Sequence, residues 1–161
     1  MSDSFRDGEI KGVIIRKLAK AQDSRGWLAE LFRNDELDGE FIPTMAYISS
    51  TNPGVTRGPH EHREQADFFC FIGPSNFKLR MWDNREASAT FNCVSTLFVG
   101  EDDPTSVLIP PGVVHAYQNV GGTDGLVINC PNRLYRGIGK KEQVDEIRHE
   151  DDPQTIFQIN D

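Results

Sequence analysis

The sequence predicts an all-β fold, either a sandwich or a barrel, for this chain of 161 residues. Short runs rich in β-branched and aromatic residues recur from end to end, and Gly, Pro, Asn or Asp separates most of them. Helix-type patterns are scarce, and close spacing of short strands is typical of sandwiches and barrels. Because no repeat or linker interrupts the chain and its length suits one core, residues 1–161 are predicted to form a single domain.

About nine segments carry the strand signal. In chain order they are "GVIIRKL" (12–18), "WLAELF" (27–32), "TMAYISS" (44–50), "DFFCFIG" (67–73), "NFKLRMWD" (76–83), "STLFVG" (95–100), "SVLIP" (106–110), "HAYQNV" (115–120) and "GLVINC" (125–130). Strict alternation in the fifth of these predicts an inner face made of Phe77, Leu79 and Met81.

Three further segments complete the chain. "RNDELDGEF" (33–41) predicts at most one helical turn. "KKEQVDEIRHED" (140–151) is compatible with a short helix or with an irregular arm. "DDPQTIFQIND" (151–161) predicts a last strand that packs back on the body.

Composition excludes several classes of function. A formal net charge of -8, spread along the chain, argues against nucleic acid as a partner, although a few arginines can still hold a small phosphorylated ligand. No apolar run is long enough to cross a membrane, and the polar N-terminus does not resemble a signal peptide, so a cytoplasmic protein is expected. Cys70, Cys93 and Cys130 lie in apolar runs, which favours buried thiols.

Two motifs concentrate the candidate chemistry. In "RGPHEHREQAD" (57–67), strand alternation places His60 and His62 on one face, and Asp67 begins the next predicted strand. In "PPGVVHAYQN" (110–119), a Pro-X-Gly turn delivers His115 to the start of another strand. If these strands line one barrel, their side chains enter a common cavity.

The spacing of these motifs resembles that of the cupin superfamily. The second motif matches fully, and the first departs from the family at Asp67, where glutamate is usual, and at Gly73, which comes one residue early. The resemblance implies a double-stranded β-helix, a jelly-roll barrel whose site lies inside the barrel mouth.

A narrower resemblance, to dTDP-4-dehydrorhamnose 3,5-epimerases, covers most of the chain. The segments that carry it are "DSRGWLAELF" (23–32), "ISSTNPGVTRGPH" (48–60), "WDNREAS" (82–88), "IPPGVVHAY" (109–117) and "IRHEDDP" (147–153). It implies a homodimeric enzyme that needs no cofactor and that epimerises a carbon beside the 4-keto group of a nucleotide-linked deoxysugar. Such an enzyme serves deoxysugar or surface-polysaccharide synthesis.

The resemblance also implies roles for individual residues. The base is His60, oriented by the carboxylate of Asp152, and Arg57 grips the diphosphate. Arg25 and Glu30 match positions near the nucleotide, often reached from the partner subunit. His115 matches a histidine of the family's substrate site, here with no requirement for metal.

Three departures from the family bear on the chemistry. Asp67 occupies the place of a lysine that lies near the enolate oxygen, and Ile128 falls near the place of the tyrosine acid. Tyr117 is the first candidate to replace that acid, with Tyr135 and Tyr47 as alternatives. The third departure is His62, whose His-X-His pattern also resembles sugar 3,4-ketoisomerases.

A metal centre is the alternative hypothesis. His60, His62, Asp67 and His115 form a set of three histidines and one carboxylate, which suits Zn, Fe, Mn or Ni. The protein would then be a metal-dependent oxygenase or isomerase acting on a small substrate. A third hypothesis is a sugar-binding cupin without catalytic activity.

Structural interpretations compete for four of these residues. Asp152 is equally suited to capping a turn before Pro153, and Arg25 to holding a turn with Asp23. Asp67 is as well suited to a solvated strand end, and His149, among acidic residues, is expected on the surface.

Overall fold

The computed structural model describes residues 5–37 and 39–160, which contain thirteen strands and two short 3-10 turns. The strands are β1 Arg6–Asp7, β2 Ile14–Lys17, β3 Ala21–Asp23, β4 Gly26–Leu28, β5 Tyr47–Thr51, β6 Thr56–Glu61, β7 Asp67–Phe71, β8 Asn76–Asp83, β9 Cys93–Gly100, β10 Thr105–Ile109, β11 Val113–Asn119, β12 Gly125–Asn129 and β13 Ile147–Arg148. The 3-10 turns are Ile138–Lys140 and His149–Asp151.

Two sheets face each other around the core. One has six strands in the order β1-β9-β8-β11-β6-β13, and the other has five in the order β2-β10-β7-β12-β5. β3 and β4 form a separate hairpin. Apart from the parallel pair β1 and β9, the strand pairs are antiparallel. This is the jelly-roll barrel that the resemblance to cupins implies, so the predicted fold class is confirmed.

The strand patterns follow from what covers each face. Phe77, Leu79 and Met81 on β8 are fully buried in the core between the sheets, as their alternation predicts. All five residues of β7 are buried, because its inner face joins that core and its outer face packs under Leu31, Leu37 and Phe41. A strand covered on both sides needs a continuous apolar run, and "DFFCF" supplies one.

Three predicted segments differ from the structure. The predicted strand 27–32 ends at Leu28, since residues 29–33 pair with no other strand. No strand forms within 152–160, although Phe157 and Ile159 do pack on Trp82. Residues 34–36 make the expected turn of segment 33–41, in which Asp38 lies outside the described residues.

Two smaller predictions can be compared with the structure. Residues 140–151 are irregular rather than helical, with β13 inside them. Cys70 and Cys130 are buried free thiols, and Cys93 is half-buried. No helix within residues 5–37 and 39–160 is long and apolar enough to cross a membrane.

Candidate active site

A cavity of about 1200 Å³ opens between the two sheets, under the arm formed by residues 131–150. His60 and His62 line it from the six-stranded side, and Tyr47 lines it from the edge strand of the five-stranded sheet. Six basic side chains border the same space, namely Arg57, Arg63, Arg133, Arg136, Lys140 and Arg148. Five carboxylates border it as well, namely Glu64, Glu142, Asp145, Glu146 and Glu150, of which Glu64 pairs with Arg133 and Glu150 with Arg148. The rim is therefore of mixed charge, and a cavity of this size that includes Arg57, which donates to uncharged groups, suits a phosphorylated small molecule.

Strand β6 brings His60 against His115. The two residues are direct partners across β6 and β11, and their rings meet edge to face at 4.5 Å between centroids. Gly58 permits this approach, because it has a φ of +82° and a Cβ there would lie 2.6 Å from the carbonyl oxygen of His115. The glycine of the Arg-Gly motif therefore has a structural role, because it lets β11 pack closely against β6 beside His60.

Asp67 is the buried centre of the polar network in the cavity wall. Its Oδ1 accepts hydrogen bonds from Gln65 Nε2 at 2.9 Å and Asn129 Nδ2 at 2.8 Å. Its Oδ2 lies 3.2 Å from His62 Nε2 and 3.3 Å from His115 Nε2. Burial by itself would raise the pKa of Asp67, but the two histidines hold it well below its usual range. Of the two alternatives for Asp67, the solvated strand end is therefore wrong, because this carboxylate is only 1% exposed.

Backbone carbonyls fix the orientation of two imidazoles. His115 Nδ1 donates to the carbonyl of Val113 at 3.0 Å, and His62 Nδ1 donates to the carbonyl of Asp145. Since a carbonyl only accepts, the Nε2 atoms of both rings are the ones that face Asp67. His115 Nε2 is buried without a well-aligned hydrogen bond.

The two neighbouring cavity histidines differ in charge. Burial lowers the pKa of His62, yet its contact with Asp67 outweighs this and raises the pKa to about 9. Burial and the nearby His115 hold the pKa of His60 well below its usual value. At neutral pH the structure therefore pairs an imidazolium at position 62 with a neutral imidazole at position 60.

The structure does not bring Asp152 to His60. Asp152 is exposed and accepts the backbone N–H of Gln154 at 2.9 Å, which is the turn-capping alternative. Glu146 lies nearer, with its carboxylate 3.9 Å from His60 Nδ1. The register of β13 on β6 explains this difference. Arg148 pairs with His60, so Glu146, two residues earlier, lines the cavity, whereas Asp152, four residues later, does not.

His149 is likewise misplaced by the sequence reading. It is not a solvated surface residue, because its ring meets that of Phe157 edge to face and its Nε2 lies 2.8 Å from Glu61 Oε1. It lies on the outer side of β6 and does not line the cavity.

The predicted phosphate residues divide into two groups. Arg57 lines the cavity, where it donates to Thr51 Oγ1 at 2.9 Å and to the Ser50 carbonyl at 2.7 Å, leaving other N–H groups free. Arg25 instead holds Asp23 in the exposed β3–β4 hairpin, and Glu30 lies 3.6 Å from Arg33. Neither Arg25 nor Glu30 lines the cavity of its own chain.

All three tyrosines border the cavity, in different settings. The Tyr117 hydroxyl lies 3.1 Å from Ser49 Oγ, and its side chain is almost fully buried. The Tyr47 hydroxyl accepts a hydrogen bond from Asn129 Nδ2 at 3.0 Å. Tyr135 lies on the arm and is mostly exposed.

Sequence reasoning missed the residues that support the site. Asp145 on the arm accepts the backbone N–H groups of Arg63, Glu64 and Gln65 at 2.8–3.1 Å. Asn129 connects Asp67 to Tyr47. The one sequence signal for Asn129 is a polar residue at an inward position of the apolar run "GLVINC"; Asp145 gives none.

The geometry also fits a metal ion. One ligand atom from each of His60, His62 and Asp67 lies within 4.8 Å of the others. The orphaned Nε2 of His115 faces the same carboxylate, and backbone carbonyls hold two rings as in many metal sites. These four residues are chemically suited to hold a divalent transition metal.

Sequence comparison identifies close relatives. Residues 7–156 match the profile of the dTDP-4-dehydrorhamnose 3,5-epimerase family. The chain is 35% identical over 147 residues to the spore coat polysaccharide biosynthesis protein SpsL of Bacillus subtilis, covering 91% of this chain and 93% of that protein. It is 38% identical over 128 residues to the probable low-salt glycan biosynthesis epimerase Agl13 of Haloferax volcanii, covering 78% and 81%.

Solved structures share the fold. A dTDP sugar isomerase from Desulfovibrio desulfuricans superposes with a TM-score of 0.81 at 22% identity, covering 94% of this chain and 92% of that one. ChmJ, a 3'-monoepimerase from Streptomyces bikiniensis in complex with dTDP-quinovose, gives 0.75 at 18% identity, covering 88% and 71%.

Proposed function

Because the chain belongs to the dTDP-4-dehydrorhamnose 3,5-epimerase family and is a sugar epimerase of glycan biosynthesis, we propose that its substrate is a dTDP-4-keto-6-deoxyhexose and its base is His60. The carrying observation is the cavity, which the neutral imidazole of His60 and the guanidinium of Arg57 line together. No cofactor is needed for this chemistry, since the substrate's own ketone acidifies the neighbouring C–H bond.

The reaction begins with removal of a proton from the carbon beside the ketone. His60 takes that proton, and the electron pair moves onto the ketone oxygen to form an enolate. Glu146, near His60 Nδ1, takes the orienting role that the sequence assigned to Asp152. A carboxylate at this distance also stabilises the imidazolium once it forms.

Positive charge near the enolate comes from histidine rather than lysine. Asp67 occupies the lysine position, but it is not a bare carboxylate, because His62 carries the compensating proton. The free N–H groups of Arg57 would bind the diphosphate. Arg25 and Glu30 would contribute only from the hairpin of a second subunit, as the homodimer expectation requires.

Substitution of His60 tests the base. His60→Gln should lower the rate of epimerisation of a dTDP-4-keto-6-deoxy sugar by roughly 10²–10⁴-fold, which is the usual rate contribution of a positioned base. It should also abolish deuterium uptake from D₂O. His149→Gln is the matched control, because it removes an imidazole from the other side of β6. Deuterium uptake by His60→Gln at the wild-type rate would overturn the assignment.

A metal-dependent isomerase is the second candidate, favoured by the clustering of His60, His62 and Asp67. These residues and His115 would hold the metal, which when bound supplies Lewis-acid polarisation of the ketone. His60 would then be a ligand and not the base.

Metal content separates the two candidates. Untagged protein purified without chelator or nickel resin is analysed by mass spectrometry, before and after incubation with Zn, Mn or Fe. About one equivalent per chain, lost together with activity in His62→Ala, would favour the metal enzyme. Full activity of metal-depleted protein would exclude it.

A further inference from the structure

We propose that Tyr47, and not Tyr117, is the catalytic acid that returns a proton to the substrate on the face opposite His60. The proposal rests on the proposed function, since it concerns the second half of the same epimerisation. Tyr47 replaces a tyrosine whose family position is occupied here by Ile128, which carries no proton.

Hydrogen-bond accounting leaves the Tyr47 proton free for substrate. The amide nitrogen of Asn129 has two hydrogens, and it gives one to Asp67 Oδ1 at 2.8 Å and one to the Tyr47 hydroxyl at 3.0 Å. Asn129 Oδ1 accepts the backbone N–H of Phe68, which fixes the amide orientation. The Tyr47 oxygen is therefore an acceptor in this network, and its own hydrogen points elsewhere.

The Tyr117 proton, by contrast, is used in a hydrogen bond to Ser49. Ser49 Oγ lies 3.5 Å from the carbonyl oxygen of Val127, which only accepts, and 3.1 Å from the Tyr117 hydroxyl. With the serine hydrogen directed to Val127, Tyr117 donates to Ser49. Tyr135 has no described side-chain partner to orient its hydroxyl, and it is mostly exposed on the arm.

The position of Tyr47 also suits inversion. His60 projects from β6 of the six-stranded sheet and Tyr47 from β5 of the facing sheet, and both line one cavity. Facing sheets lie about 10 Å apart, which is room for one sugar ring between them. Epimerisation removes a proton on one face of the ring and returns one on the other, so acid and base are needed on opposite walls.

The proton balance closes through solvent. His60 removes the C–H proton and the electron pair forms the enolate. The Tyr47 O–H then protonates the same carbon from the other side and the C=O bond re-forms. The phenolate keeps its hydrogen bond from Asn129 until water restores its proton, and His60 gives the proton that it removed to water. Burial raises the pKa of Tyr47 to about 12, which keeps the hydroxyl protonated at neutral pH between turnovers.

Deuterium labelling of a dTDP-4-keto-6-deoxy sugar in D₂O tests the assignment. Tyr47→Phe should lower inversion at least about 100-fold, while His60 still exchanges its proton with solvent and returns deuterium on the original face. The recovered substrate should therefore gain deuterium with retained configuration. Tyr117→Phe, the matched comparison in the same cavity, should lower inversion far less than Tyr47→Phe does.

Each other outcome has a separate meaning. Inversion by Tyr47→Phe within a few-fold of wild type would overturn the proposal, as would loss of inversion in Tyr117→Phe alone. Loss of both exchange and inversion in a Tyr47→Phe protein with an unchanged unfolding midpoint would also overturn it, because an acid acts after enolisation. If the wild-type protein shows neither exchange nor inversion, the proposed function fails instead.

Discussion

Two aspartates of the barrel are equally buried but are neutralised in different ways. Asp67 in the cavity wall is 1% exposed, and Asp83 at the end of β8 is fully buried. Asp83 accepts hydrogen bonds from Arg85 at 2.7 Å, Ser88 at 2.6 Å and Thr90 at 2.5 Å. Asp67 faces two histidines and two amides instead.

The difference separates a structural carboxylate from a chemical one. Burial would raise the pKa of Asp83, but Arg85 and the two hydroxyls hold it far below its usual range, and the arginine cannot lose its proton. Among the partners of Asp67, His62 can lose its proton as the pH rises through about 9, and its imidazole can also bind a metal. Acid–base chemistry requires groups that titrate in a cavity wall, and the surroundings of Asp67 contain them whereas those of Asp83 do not.

The largest contrast should appear when each carboxylate is neutralised. Asp83→Asn leaves Arg85 without its counter-ion and should lower the free energy of unfolding by about 3–5 kcal/mol at pH 7. Asp67→Asn should cost less stability, because His62 can release its proton, yet it should lose more activity per folded molecule. Urea unfolding and turnover of the two variants check this. Equal losses of stability in Asp83→Asn and Asp67→Asn would contradict the distinction between a structural and a chemical carboxylate.

Alkaline pH should destabilise the Asp67 site alone. The pKa of His62 rises from 6.5 to about 9 on folding, so its contribution, on the order of 3 kcal/mol, is complete below pH 6.5 and is lost as pH rises through 9. The free energy of unfolding of metal-depleted protein should therefore fall between pH 6.5 and pH 9, both in wild type and in Asp83→Asn. His62→Gln should lack that component; an unchanged slope in this variant would contradict the prediction.

The smallest effect concerns the arm, on which only the Asp67 site depends. Asp145→Ala removes the acceptor of three backbone N–H groups beside His62 and should cost about 1–2 kcal/mol of stability. Hydrogen exchange at residues 63–65 should accelerate and KM should rise several-fold. Asp124→Ala, on an exposed loop, is the control. Unaltered exchange in Asp145→Ala would show that the arm is held by other contacts.

The two networks differ in how far apart in the chain their members lie. The donors to Asp83 lie within seven residues of it, in the single segment 82–90. The network of Asp67 is assembled from β6, β7, β11 and β12, and Asp145 joins it from about 80 residues away in the chain. The motif spacing predicted His60, His62, Asp67 and His115 because each motif lies at a strand end that the fold family repeats.

The sequence by itself determined most of the strands and the histidine pair, since alternation and turn residues act locally, and the family resemblance of its motifs implied the jelly roll. Only the tertiary structure decided which partners each side chain has. Glu146 rather than Asp152 lies nearest His60 because the register of β13 on β6 sets that choice. The free proton of Tyr47 likewise depends on Asn129, whose amide is oriented by a neighbouring strand. Hydrogen-bond direction and strand register are long-range properties, and no local pattern encodes them.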